Sequence, residues 1–122
     1  MASKTIFLVE DDITMRSLLE TLFQLEGYST LAIEPTSVNE ALQLVKNLQP
    51  QALLIDVHLK KFNGIDLTSA IRNDNTIDQP IIIMASGVNL QNECISSGAD
   101  QFFLKPYMPQ QMIDWLKSKL NS

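Results

Sequence analysis

The chain is poor in the residues that build redox and metal centres on sulfur or nitrogen. Its 122 residues hold one cysteine, Cys94, and one histidine, His58. A lone cysteine excludes an internal disulfide, a CxxC pair and a multi-cysteine zinc cluster. Positive charge is also short: nine Lys and Arg face fourteen Asp and Glu, a net charge of −5. Attachment to nucleic acid by phosphate neutralisation needs the opposite balance, so no nucleic-acid contact is expected of this domain. Long apolar runs are missing too. Residues 6–9 and 81–85 are far too short to cross a bilayer. The first of them meets Glu10-Asp11-Asp12 at once, unlike a secretory leader. A cytoplasmic domain without a membrane partner is expected.

What is present is a core and a rhythm. With 45% hydrophobic and 19% charged residues, the chain can fold, and its length suits one domain over 1–122 with no linker at either end. Residues 5–9 read as a strand covered on both faces. Met15, Leu18, Leu19, Leu22 and Phe23 follow helical spacing until Gly27 stops them. Residues 28–32 form a weaker, more polar strand suited to a sheet edge. Ser37 and Glu40 have the spacing of a capping box ahead of the stripe Val38, Ala41, Leu42, Val45 and Leu48. Pro50 ends that helix, and residues 52–56 are a third strand. Beyond Asn63-Gly64, Leu67, Ala70 and Ile71 mark a third helix. Residues 80–84 read as a strand, 89–97 as a short helix and 101–104 as a last strand. Pro109 opens a helix carrying Met112, Ile113, Leu116 and Leu120. Strands alternating with helices through short right-handed connections form a doubly wound α/β sheet. The functional site of such a sheet lies at the carboxyl ends of its strands, where the chain order reverses.

Glu10-Asp11-Asp12 stands at the end of the first strand, Asp56 at the third, Ser86 at the fourth and Lys105-Pro106 at the fifth. Carboxylates gathered on one rim repel unless a cation sits among them, and a set of hard oxygen ligands suits Mg²⁺. Ser86 supplies a hydroxyl donor and Lys105 a point charge, both matched to phosphoryl oxygens. Together they fit phosphoryl transfer onto Asp56, forming an aspartyl phosphate.

At this point the sequence resembles the response-regulator receiver domain of two-component signalling, over essentially its whole length. The resemblance rests on Glu10-Asp11-Asp12, Asp56, Gly64, Ser86 and Phe103-Leu-Lys-Pro106, each after its element. It implies a flavodoxin-like fold of five parallel strands in the order 2-1-3-4-5, flanked by five helices. It implies Asp56 as phosphoacceptor, Asp11 as a direct Mg²⁺ ligand, Glu10 as a ligand through water, and the His58 backbone carbonyl as another ligand. Ser86 becomes the switch hydroxyl, Lys105 the conformational lysine and Phe102 the aromatic switch position. The partners implied are a histidine kinase or histidine phosphotransfer protein, and a downstream target or a covalently linked output domain. One departure is plain: the family often has proline four residues after the phosphoacceptor, where this chain has Lys60, followed by Lys61.

Plainer roles stand beside these. Asp12 is an ordinary helix N-cap, and Glu10 and Asp11 taken alone are solvated charges. Cys94 belongs to the core, and the His58 ring points to solvent. Phe102 is either core filling or a moving ring. Trp115 is expected on the flank of the last helix beside Phe102, partly exposed, as core edging or as a partner contact. A flavodoxin-like carrier would need a phosphate cradle where the acidic cluster stands. A phosphatase of the haloacid dehalogenase type would need an acid where His58 stands. A receiver fold serving only as a binding module would have no use for Asp11, Asp56, Ser86 and Lys105 together.

Overall fold

The computed structural model describes residues 4–121. Its elements run β1 (Thr5–Val9), α1 (Ile13–Leu25), β2 (Ser29–Ala32), α2 (Val38–Leu48), β3 (Ala52–Asp56), α3 (Gly64–Arg72), β4 (Ile81–Ser86), α4 (Gln91–Ser97), β5 (Gln101–Leu104) and α5 (Pro109–Leu120). All strand pairs are parallel, in the order β2-β1-β3-β4-β5. The expected order is therefore the observed one. After β1 the chain crosses to one side to make β2, then returns past β1 to make β3. The connections leaving β1 and β3 diverge and open a crevice at their carboxyl ends.

The two faces of the sheet follow the period of two along each strand. Phe7, Val9, Leu53, Ile55, Ile82 and Met84 point into one core, against Ala41 and Val45 of α2, Leu67 and Ile71 of α3 and Cys94 of α4. Ile6, Leu8, Leu54 and Ile83 point into the other, against Leu19 and Phe23 of α1 and Met112, Ile113 and Leu116 of α5. Each such large side chain, wholly withdrawn from water, contributes about 1.5–3 kcal/mol. Cys94 is buried here, as expected, and burial pushes its thiol up to about 11. It is no nucleophile at neutral pH.

Local signals set most boundaries. Asp12 Oδ1 accepts the Met15 N–H at 3.0 Å and caps α1, while Gly27 at φ +90° carries the chain out of it. Ser37 Oγ accepts the Glu40 N–H at 3.1 Å, but the capping box closes differently from expectation. Glu40 Oε2 takes the Thr36 hydroxyl at 2.6 Å and the Thr36 N–H at 3.3 Å, because that hydroxyl is the nearer donor. The strand β4 runs on to Ser86, since pairing continues on both sides through Asp56–Ala85 and Ser86–Leu104. Leu18 and Leu48, counted in the apolar stripes, are exposed. A helix lying on a sheet buries only the centre of its stripe.

Candidate functional site at the strand ends

Glu10 follows β1, Asp56 closes β3 and Lys105 follows β5, and the sheet brings the three side chains together. Lys105 Nζ donates to Glu10 Oε1 at 2.9 Å and to Asp56 Oδ2 at 3.0 Å. Glu10 is only 6% exposed. Burial raises its pKa first and the neighbouring Asp56 raises it further, against the opposing pull of Lys105. Burial works to lower the pKa of Lys105, but the hydrogen bonds and charges of Glu10 and Asp56 outweigh it and hold the ammonium above its ordinary value. Lys105 thus supplies positive charge between these two carboxylates.

Asp11 does not join that group. Its Oδ2 accepts the backbone N–H of Lys60 at 2.6 Å, bridging the loops that follow β1 and β3. Among the described residues no three Asp, Glu, His or Cys side chains converge to enclose an ion. Of the expected metal set of Glu10, Asp11, Asp56 and the His58 carbonyl, Asp11 is thus engaged by a backbone donor while Glu10 and Asp56 share Lys105. The donor set nevertheless suits magnesium in kind. Mg²⁺ takes oxygen ligands, keeps several waters and uses only one or two carboxylates. Asp56 and Asp11 each engage only one carboxylate oxygen, Oδ2, in a hydrogen bond among the described residues.

Ser86 is fully buried, and its Oγ accepts the Val88 N–H at 3.1 Å. Its carbonyl accepts the Lys105 N–H at 2.8 Å, so the ends of β4 and β5 are tied together. The His58 side chain is exposed, as expected. Gly64 packs its Cα against the backbone of the phosphoacceptor candidate: an added Cβ would collide with the Asp56 carbonyl and lie 2.8 Å from Ile55 Cγ2. Gly64→Ala is therefore expected to destabilise the fold by about 1–3 kcal/mol, since overpacking against backbone has no flexible side chain to give way. Urea denaturation measures this, and an unchanged midpoint would show that the loop yields freely.

Trp115 is partly exposed and Phe102 fills the core, each within the expected readings, but the expectation that they lie side by side is not met. Phe102 is 9% exposed and packs into the core shared with α4. Trp115 is half-buried on the opposite face of the sheet, against the α1–α5 core. It adjoins Ile81 and Asp100, toward the amino ends of β4 and β5, with Lys119 Nζ 5.5 Å from its ring centre. The two aromatics do not form one patch, because Phe102 points toward α4 while α5 covers the other face. Phe102 also offers almost no surface to a partner.

Tyr107 is the site residue that sequence reasoning passed over. It adjoins Glu10, Asp56 and Met112 around a small cavity, with its ring centre 5.8 Å from that of Phe103. Burial, and then the negative charge of Glu10, pushes its phenol up to about 12, so it stays protonated as a potential donor. The available signal was its place directly after Lys105-Pro106.

A doubly wound sheet with acidic residues and a lysine gathered at its switch point defines a class of signalling domains. The family model described as the response regulator receiver domain matches residues 6–117. The chain belongs to that family, whose members are signalling proteins of two-component systems. It is 30% identical to the chemotaxis protein CheY of Thermotoga maritima, over 93% of this chain and 94% of that protein. It is 29% identical to the phosphate regulon transcriptional regulatory protein PhoB of Pseudomonas aeruginosa, over 98% of this chain but 53% of that protein. The chain thus spans about half the length of that longer relative. Among solved structures, the receiver domain of a Pseudomonas aeruginosa sensor histidine kinase superposes with a TM-score of 0.83 at 22% identity, covering 99% of this chain and 100% of that one. That structure carries a magnesium ion coordinated in its active-site cleft.

Proposed function

We propose that this chain acts as one phosphoacceptor receiver unit in the cytoplasm, taking a phosphoryl group onto Asp56 in a Mg²⁺-dependent reaction. The donor is the phosphohistidine of a histidine kinase or phosphotransfer protein. The observation that carries this is Lys105 Nζ held between Glu10 and Asp56 at the crevice. Asp56 Oδ2 is engaged by Lys105, which leaves Oδ1 as the attacking oxygen. The donor's P–N bond breaks as the new P–O bond to Asp56 forms, and the leaving imidazole retains the electron pair.

Magnesium, held by Asp11 and Asp56 with Glu10 acting through water and the His58 carbonyl as a further ligand, would neutralise charge on the transferring group. Lys105 Nζ is already hydrogen-bonded to the acceptor and can follow the new oxygens. Ser86 Oγ accepts from Val88 and keeps its own proton to donate. Because Lys105 N–H is bonded to the Ser86 carbonyl, movement of either residue carries the ends of β4 and β5 together. Phe102, packed in the α4 core, would pass that movement to α4. Trp115 is a separate partner contact on α5. The output is a downstream target or a linked output domain; the net charge of −5 gives this chain no evident hold on nucleic acid.

The test is intact mass after incubation with acetyl phosphate, with and without Mg²⁺. One added phosphoryl group, only with Mg²⁺, is expected. No uptake under either condition would leave the chain as a binding module on a receiver scaffold.

By the family resemblance, phosphoryl lifetime is tuned at the residues two after the phosphoacceptor and two after the switch hydroxyl, here His58 and Val88. Val88 is 59% exposed and apolar, so it orients no attacking water. Val88→Gln is expected to shorten the phosphoryl lifetime several-fold in a mass-decay time course. An equal or longer lifetime would show that water is positioned elsewhere, with the exposed His58 the next residue to replace.

A further inference from the structure

The bond between Asp11 and the loop after β3 bears on how readily the crevice takes a cation. Lys60 N–H donates to Asp11 Oδ2 at 2.6 Å, a close contact of a backbone donor with a carboxylate oxygen. Lys60 and Lys61 line the same cavity of about 240 Å³ as Asp11 and Glu34. Neither lysine side chain makes an ion pair among the described residues.

We propose that the Lys60 backbone amide is a latch on Asp11 that competes with divalent cations and lowers the magnesium affinity of this chain. The inference rests on the assignment of Asp11 as a metal ligand. An N–H presents the positive end of its dipole to the carboxylate. A cation draws on the same negative charge, so each weakens the other's hold. The amide also ties Asp11 to the β3–α3 loop while Asp56 stays with Lys105. Cation binding at Asp11 therefore loosens that loop and couples it to the phosphoacceptor. The ammonium groups of Lys60 and Lys61 add repulsion to the cation, a smaller effect that salt screens.

Backbone and side-chain contributions separate cleanly, because proline is the one residue without an N–H. Lys60 lies outside the left-handed region, where a proline could not fit. Magnesium is titrated calorimetrically into the full chain in four forms: wild type, Lys60→Ala, Lys60→Pro and Asp11→Ala. Lys60→Ala keeps the amide and loses the charge, so a modest gain in affinity is expected. Lys60→Pro is expected to bind a further three- to tenfold more tightly (about the net worth of one ordinary hydrogen bond). Affinity equal to or weaker than that of Lys60→Ala overturns the latch. Asp11→Ala binding as tightly as wild type overturns the ligand assignment instead.

The wild-type chain provides a second measurement that does not depend on the proline variant folding. In a ¹⁵N-labelled sample the Lys60 amide should exchange slowly with solvent before magnesium is added. It should lose that protection, and shift upfield, as magnesium saturates the site. An amide equally protected at saturation means that the bond survives cation binding, and the latch is wrong.

Discussion

Asp56→Asn is expected to take up no phosphoryl group from acetyl phosphate under conditions that load the wild-type chain. The substitution keeps the shape of the side chain at the end of β3 and replaces a carboxylate with an amide. The amide lacks the negative charge that makes an oxygen nucleophilic, and attack through it would leave a cationic adduct. Glu10 does not take over, although it lies beside Asp56 and shares Lys105. It is buried, its pKa is raised, and its Oε1 is already occupied by the ammonium. Intact mass over a time course reads the result. Uptake by Asp56→Asn at the wild-type rate would move the phosphoacceptor elsewhere, whereas complete loss is the outcome expected of Asp56 as acceptor.

The second large effect is on stability. Lys105→Ala should destabilise the chain by about 1–3 kcal/mol at neutral pH, since it leaves Glu10 and Asp56 adjacent without their cation. This is below the usual penalty for breaking a buried pair because the lysine side chain is 25% exposed. The effect should depend on pH in a defined direction. Glu10 already has a pKa above its ordinary 4.5, from burial first and Asp56 second, with Lys105 opposing. Removing the lysine raises it further. A carboxyl with a raised folded-state pKa contributes stability that is full below its unfolded-state pKa and is lost as pH rises through the folded-state value. The deficit of the variant should therefore be small at about pH 4 and larger at about pH 8. Urea midpoints at the two values decide it. An equal deficit at both would mean that the lysine acts through packing of its stem rather than through charge.

These effects were legible in unequal measure before the fold was known. Glu10, Asp56, Ser86 and Lys105 are visible in sequence because each directly follows or ends a short apolar run, and strand ends share a rim in a parallel sheet. Gly64 is visible as a mark, but its purpose is not. Only the packing of α3 onto the Asp56 carbonyl shows that any side chain there would collide. Tyr107 reads as one more aromatic after Pro106, and its place beside Glu10 depends on how α5 turns back over the sheet.

By itself, the sequence determined the alternation of five strands and five helices, the caps at Asp12 and Ser37, the helix stop at Gly27 and the residues standing at the strand ends. All of these rest on local chemistry: the period of apolar residues, a side-chain oxygen facing its own backbone, a glycine free to adopt positive φ. The tertiary structure alone decided which groups meet across the crevice. Lys105 neutralises Glu10 and Asp56, and Asp11 turns to the Lys60 amide. It also separated Phe102 from Trp115. Alternation along β5 requires Phe102 and Phe103 to face opposite ways, but the layer that α5 joins depends on the path of its connection over the sheet. A charged or aromatic side chain takes whichever partner lies within a few ångströms of it in space, and no local period encodes that distance.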